Sequence, residues 1–190
     1  EIDILVDANT NYTLQDIRKV MPAFDEAGVS WLEEPFPPQD RKAYGLARTL
    51  GRVPFAAGEN HYTRYEFATL LDDGDVQFIQ PDLSKAGGVT ESLRIAAMAS
   101  AYKLTINPHT SATAINMGNT IHFLSAIDNP GYFEGDVTSL NPFRDEMMDK
   151  PAYQLDKDGC VSPYEGIGIG MKINLDFVKA HPLIDGPCYV

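Results

Sequence analysis

Six residues that could catalyse a reaction or bind a metal recur along the chain at intervals of 23 to 27 residues. Each follows a short strand-like run. The six residues are Asp7, Glu33, Glu59, Asp82, His109 and Glu134. Because an interval of this length accommodates one strand and one helix, we expect the six side chains at the carboxyl ends of successive parallel strands, where they meet on one face.

Three of these residues, Asp7, Glu33 and Glu59, would bring carboxylates together at adjacent strand ends. Unpaired charges at such separations repel one another strongly, and a bound cation removes that repulsion. Since all the ligands are oxygen atoms, a hard ion such as Mg²⁺ is favoured over zinc. The alternative is that each acid caps a helix or pairs with a nearby lysine or arginine, but three acids at matching strand ends argue against it.

Asp82 and His109 follow the next two runs and form a candidate general-base pair. A carboxylate that hydrogen-bonds an imidazole fixes its tautomer and makes it a stronger base. The other three histidines, His61, His122 and His181, are interpreted as structural. His61 is a partial exception, because it lies two residues beyond Glu59 and could touch a substrate.

Alternating strand and helix patterns supply the elements that would position these residues. Strands are predicted at 4–6, 29–32, 55–58, 76–80, 104–107 and 131–133, and helices at 14–27, about 40–50, 63–71, 90–102 and 112–127. Thr13 with Asp16, and Thr63 with Glu66, have the spacing of a capping box at a helix start. Pro22 argues against an unbroken first helix.

Six βα units in order predict an α/β fold, a partial (β/α) barrel of the TIM type covering about the third to eighth strands. A complete barrel needs about 200 to 250 residues, and the tail begins near Asn141. We therefore assign residues 1–140 to barrel units that carry the metal and acid–base residues. Residues 141–190 are assigned to a tail that packs on the barrel, and the first two barrel strands are expected to be absent.

The composition excludes several classes of function. The chain has 190 residues, with 15 Lys and Arg against 27 Asp and Glu, and its net charge of −12 argues against binding to nucleic acid or to anionic membranes. Cys160 and Cys188 form no CxxC motif and no cluster with histidines, so neither a zinc site nor a disulfide framework is expected. With no export signal and no long apolar run, a reducing cytoplasm fits best.

Six short motifs, in order, resemble the strand-end motifs of the enolase superfamily, mandelate racemase group. They are Val6-Asp7-Ala8-Asn9, Trp31-Leu32-Glu33-Glu34-Pro35, Gly58-Glu59-Asn60, Gln80-Pro81-Asp82 with the residues up to Gly88, Asn107-Pro108-His109 and Phe133-Glu134-Gly135. The resemblance implies that Asp7, Glu33 and Glu59 bind Mg²⁺ and that Asp82 and His109 form the acid–base dyad. It also implies that Glu134 donates a hydrogen bond to an enolate, and that Glu34 lies behind the ligand or is structural.

The residues at two positions distinguish this chain from a related group of the superfamily. The muconate-lactonizing group would carry a lysine base at the position of Asp82, and usually an aspartate at that of Glu59. Asp82 followed by His109 therefore indicates the mandelate racemase group. The family's second acid–base group, a lysine in a Lys-x-Lys motif on the second barrel strand, has no counterpart here. We also expect the family's N-terminal capping domain to be absent from this sequence.

The resemblance implies Mg²⁺-dependent abstraction of the α-proton of a carboxylate substrate through an enediolate. Because dehydration of sugar acids is the commonest outcome in the group, we expect a lyase acting on a sugar acid. The alternatives are a racemase or epimerase of a 2-hydroxy acid, and an inert metal-binding fragment. Family members are often oligomers, so a homo-oligomer is compatible with the resemblance. Candidate substrate contacts are Asn9, Asn60, His61 and Lys85, with Asn11, Thr110 and Ser111 as further polar neighbours. For Lys85 the alternative is a lysine in solvent.

Overall fold

A parallel five-stranded sheet with helices between its strands forms the frame of the molecule. The computed structural model describes residues 2–110 and 113–184. The strands are β1 (Ile4–Asp7), β2 (Val29–Glu33), β3 (Phe55–Ala57), β4 (Phe78–Ile79) and β5 (Thr105–Ile106), and they pair in chain order. The helices are α1 (Leu14–Ala27), α2 (Arg41–Ala47), α3 (Thr63–Asp73), α4 (Gly88–Ala101), α5 (Ala114–Ala126), α6 (Pro142–Asp145) and α7 (Leu175–Ala180). This arrangement is a partial (β/α) barrel, as the sequence predicts.

The main core lies between the sheet and the first helices. Strand residues such as Leu32, Phe55 and Ile106 are buried there with Ile17 of α1 and Phe67 of α3. Their burial is the main favourable term that holds the helices on the sheet.

A second, smaller cluster joins α5 to the segment that follows it. It contains Met117 of α5 together with Met148, Ala152 and Met171. Within the part of the chain that the structure describes, no helix combines the length and the apolar character needed to cross a bilayer.

Helix α1 begins with the capping box that the sequence predicts. The Thr13 hydroxyl accepts a hydrogen bond from the Asp16 N–H at 3.2 Å, and the Asp16 carboxylate accepts one from the Thr13 N–H at 3.0 Å. Gly28 ends the helix in the left-handed conformation that glycine adopts readily. Pro22 lies inside α1 without ending it, so the helix predicted over residues 14–27 is confirmed.

The predicted capping box at Thr63 is also wrong. Tyr62 takes the position before α3 without a side-chain cap, and the Glu66 carboxylate accepts from the N–H of Tyr62 at 2.6 Å. The N–H of Thr63 donates instead to the carbonyl of Ala86, and Thr63 has a φ of 59°. A distant backbone acceptor has therefore displaced the local pattern.

The predicted sixth strand at 131–133 does not form. Only an isolated parallel bridge joins Ile106 to Pro130. The N–H of Tyr132 donates to the side-chain oxygen of Asn107 at 2.8 Å, where a further strand would have used a carbonyl of its neighbour. The Asn107 side chain thus ends the ladder, and the chain leaves the sheet edge just before Glu134.

Thr13→Ala tests the capping box. We expect the free energy of unfolding to fall by about 1 kcal/mol, because a backbone N–H in the first turn loses its acceptor. Urea unfolding of the variant and the wild type measures this difference. Thr63→Ala is the matched control, and its effect should stay within about 0.5 kcal/mol because no capping bond is removed. Equal losses in the two variants would contradict the prediction.

Candidate active site

The predicted site residues lie together at the edge of the sheet that is formed by the carboxyl ends of the parallel strands. Asp7 and Glu33 end β1 and β2 and are direct partners in the strand register. Glu59 follows β3 by two residues, and Asp82 and His109 follow β4 and β5 by three residues each. Parallel pairing places such residues side by side, as the 23-to-27-residue spacing predicts.

His109 is held between two carboxylates. Its Nδ1 lies 2.7 Å from Oδ2 of Asp82, and its Nε2 lies 2.7 Å from Oε2 of Glu59. Asp82 is only 1% exposed, and its other oxygen, Oδ1, accepts from the Ser84 N–H at 2.7 Å and from Asn116 Nδ2 at 3.2 Å. These contacts fix the carboxylate, which in turn fixes the imidazole ring.

The electrostatics of this group favour a protonated imidazole. Burial lowers the pKa of His109, but the hydrogen bonds to Asp82 and Glu59 outweigh it and raise the pKa to about 10. The hydrogen bond from His109 lowers the pKa of Glu59. Burial acts to raise the pKa of Asp82, yet the bonds from His109 and Ser84 bring it below its ordinary value. In this arrangement the two carboxylates favour the protonated form of His109, and Asp82 fixes its Nδ1 side.

Glu33 lies in a crowded acidic environment. Burial raises its pKa to about 7, the hydrogen bond from Gln80 opposes this rise, and the charges of Asp7, Glu134 and Glu59 add to it. Gln80 Nε2 donates to Glu33 Oε2 at 2.6 Å.

Glu134 is a second acid with a raised pKa. Its carboxylate accepts a hydrogen bond from the Thr110 N–H at 2.7 Å, and desolvation is the main cause of the rise.

The acidic residues supply the oxygen donors that a hard cation prefers, but their side chains are not arranged around a metal position. Within residues 2–110 and 113–184, no group of three or more histidine, cysteine or acidic side chains is already arranged around a metal position. Glu59 instead contacts His109, and its Oε1 lies 3.8 Å from Lys85 Nζ. The donors of Asp7, Glu33 and Glu59 are nonetheless all oxygen, and a divalent cation would offset the mutual repulsion that disfavours the charged form of Glu33. The residues therefore fit Mg²⁺, and their role as its ligands stays a prediction.

The four candidate substrate contacts are placed differently from one another. Asn9 is exposed, and its N–H donates to Asp7 Oδ1 at 2.7 Å, while Lys85 lies beside Glu59. The side-chain amide of Asn60 donates hydrogen bonds to the carboxylates of Glu34 and Glu59. His61 is buried against Phe67 and lines a separate cleft of about 500 Å³ beside α3.

A cavity of about 230 Å³ lies next to the acidic residues. Asp7, Glu33, Gln80 and Glu134 line it together with apolar neighbours that include Trp31. Of the further polar neighbours, Ser111 lies outside the described residues.

Sequence reasoning missed the residues that orient the site. Gln80, Ser84 and Asn116 hold Glu33 and Asp82 in place, yet none was assigned a role. Gln80 and Ser84 stand inside the motif around Asp82, which was an available signal. Asn116 lies 34 residues from Asp82, and its sequence context gave none.

Comparisons with known proteins give a consistent picture. A family model described as enolase C-terminal domain-like matches residues 1–177. A member of the enolase superfamily from Polaromonas sp. JS666 has a TM-score of 0.94 and 51% identity, and the match covers 100% of this chain and 50% of that one.

Two curated proteins are similar over most of this chain. D-galactarolactone cycloisomerase from Agrobacterium fabrum is 31% identical over 184 residues, 93% of this chain and 48% of that protein. D-galactonate dehydratase from Pectobacterium atrosepticum is 32% identical over 154 residues, 78% of this chain and 40% of that protein. The chain therefore spans less than half the length of these relatives.

Proposed function

We propose a function from one premise: this chain belongs to the enolase superfamily, in the family of enolase C-terminal domain-like barrels. The protein that contains it removes the α-proton of a sugar acid and then eliminates water, as a divalent-cation-dependent dehydratase. The observation that carries this proposal is the His109–Asp82 pair, whose 2.7 Å contact leaves Nε2 as the working nitrogen. Similarity to a D-galactarolactone cycloisomerase and a D-galactonate dehydratase supports a sugar-acid substrate.

The acid–base steps follow from the surroundings of His109. To act as the base, His109 must first be neutral at Nε2: this nitrogen has to release its proton and its contact with Glu59 and face the substrate's α-C–H, while Nδ1 stays on Asp82. The same imidazolium can then give the proton to the departing β-hydroxyl, so that one proton is taken and returned and one water leaves. The resulting enol tautomerises to a 2-keto-3-deoxy acid.

The remaining acidic residues have supporting roles. Asp7, Glu33 and Glu59 would hold Mg²⁺, which when bound neutralises negative charge that develops on the substrate carboxylate. Desolvation raises the pKa of Glu134, and the protonated form of its carboxyl would donate a hydrogen bond to the substrate oxygen. Gln80 orients Glu33 through its 2.6 Å hydrogen bond.

Cycloisomerisation of a sugar-acid lactone is a second candidate. The similarity to D-galactarolactone cycloisomerase over 93% of this chain favours it. Such a reaction rearranges the lactone without loss of water. The two reactions therefore differ in whether the product has lost one water relative to its substrate.

The test uses the purified protein that contains this chain, after its intact mass has been compared with the 20.9 kDa of these residues. D-galactonate, D-xylonate and D-galactarolactone are incubated with Mg²⁺ in D₂O and followed by NMR and mass spectrometry. Formation of a 2-keto-3-deoxy acid with loss of one water supports the dehydratase. Lactone isomerisation without loss of water supports the cycloisomerase, and α-deuteration of an otherwise unchanged sugar acid supports a racemase. Absence of both product formation and α-proton exchange with every compound overturns the proposal.

A further inference from the structure

Glu34 is a buried acid that the proposed chemistry does not use. It is 2% exposed, and its Oε1 has no hydrogen-bond partner among the residues described. Burying a carboxylate that is only partly satisfied is unfavourable, and native proteins rarely retain such a group without a reason.

The backbone at Glu34 is also strained. Its φ is 34°, in the left-handed region that residues other than glycine seldom occupy. Two hydrogen bonds hold this conformation: the Glu34 N–H donates to the Ala56 carbonyl at 3.0 Å, and the Glu34 carbonyl accepts from the Thr10 N–H at 2.7 Å. Strain of this kind persists where the surrounding structure fixes it, and it is concentrated at functional sites.

The side chain of Asn60 connects the other oxygen of Glu34 to Glu59 in the active site. Asn60 Nδ2 donates to Glu34 Oε2 at 2.7 Å and to Glu59 Oε1 at 2.9 Å. An amide nitrogen has two protons, so the two contacts use both donors and fix which way the amide faces. Glu34 therefore sets the orientation of Asn60, which holds one oxygen of Glu59.

We propose that Glu34 is a positioning residue: through Asn60 it limits the rotation of the Glu59 carboxylate and so keeps Glu59 available as a ligand of a divalent cation. The inference rests on the proposed function, because Glu59 is a cation ligand only there. Glu59 has two competing partners, His109 on Oε2 and Lys85 near Oε1. Without Asn60, the Glu59 carboxylate would be free to rotate toward Lys85. The Asn60 amide, held by Glu34, limits that rotation.

Mn²⁺ binding, measured by electron paramagnetic resonance in the protein that contains this chain, tests the inference. We expect Glu34→Ala and Asn60→Ala to bind Mn²⁺ about tenfold more weakly than the wild type, the size of effect typical for residues that orient a metal ligand. Glu34→Gln should bind close to the wild type, because its side-chain oxygen still accepts from Asn60. Thermal unfolding is recorded for each variant.

Glu91→Ala is the matched control. Glu91 is also a buried acid, but it contacts Arg64 and Arg94. This variant should lose stability and keep its Mn²⁺ affinity, so a merely structural effect is separated from positioning.

Three outcomes decide the matter. Unchanged Mn²⁺ affinity in Glu34→Ala overturns the inference alone. If Glu34→Ala does not fold, Asn60→Ala decides, and unchanged affinity there also overturns it. Absence of Mn²⁺ binding by the wild type overturns the proposed function, and this inference with it.

Discussion

His109→Asn is expected to slow α-proton exchange and water loss by about 10³-fold, within the range typical for removing a positioned general acid–base group. Asparagine can still donate a hydrogen bond toward Asp82, but it cannot accept and return a proton near neutral pH. The measurement is deuterium incorporation and product formation by NMR, with the sugar acid that the wild type turns over. The effect should appear mainly in kcat.

The control for this variant is His181→Asn, since His181 is an exposed histidine at the end of α7. Its rate should stay close to that of the wild type. His109→Asn should also retain Mn²⁺ binding. If it loses binding together with activity, His109 serves to hold Glu59 in place and its assignment as the proton carrier is wrong.

Gly58→Ala is expected to lower the free energy of unfolding by about 3 kcal/mol, from strained backbone and overpacking combined. Gly58 has a φ of 151°, and a Cβ there would lie 2.6 Å from the carbonyl carbon of Gln80 and 2.7 Å from its nitrogen. Those are backbone atoms of the adjacent strand segment, which the hydrogen bond from the Gln80 N–H to the Ala57 carbonyl holds at 3.0 Å. The two segments must separate to make room, and Glu59, the next residue, would move with them.

Gly74→Ala separates the two causes. Gly74 has a φ of 67°, but a Cβ there meets nothing within 4 Å, so only the backbone cost of about 1 kcal/mol applies. Urea unfolding of both variants gives the comparison. If both lose the same free energy, the close approach of Gly58 to Gln80 does not determine the effect. We also expect Gly58→Ala, where folded, to bind Mn²⁺ more weakly, and Gly74→Ala to bind it normally.

The elements that could be predicted from the sequence are those with local causes. The bounds of α1 follow from the capping pattern at Thr13 and from the glycine at position 28, and the first five strands follow from short apolar runs. The two failures have distant causes. The Ala86 carbonyl takes the N–H of Thr63, and the Asn107 side chain takes that of Tyr132. Neither partner lies in the window from which a helix start or a strand is predicted.

The same division applies to the candidate site. The regular spacing was enough to place Asp82 and His109 together, because parallel strands bring their ends to one face. The bonding partners of the amides that orient the acids were not predictable, although Gln80 and Asn60 stand inside the motifs. Gln80, Asn60 and Asn116 make their bonds across 47, 26 and 34 residues, and nothing in an isolated amide side chain distinguishes these roles from an ordinary polar contact.

The chain-order pairing of the strands has a consequence for how the site is made. His109, Asp82 and Glu59 each follow a different strand of the sheet. Neither the contact of His109 with Asp82 nor that with Glu59 can therefore form within a single βα unit. Asp82 and Glu59 lie 27 and 50 residues before His109, and these pairings must wait for the intervening loops to close. A chain that has made only its helices and first strand pairs during folding has no dyad, so its reactive groups stay apart until the sheet is nearly complete.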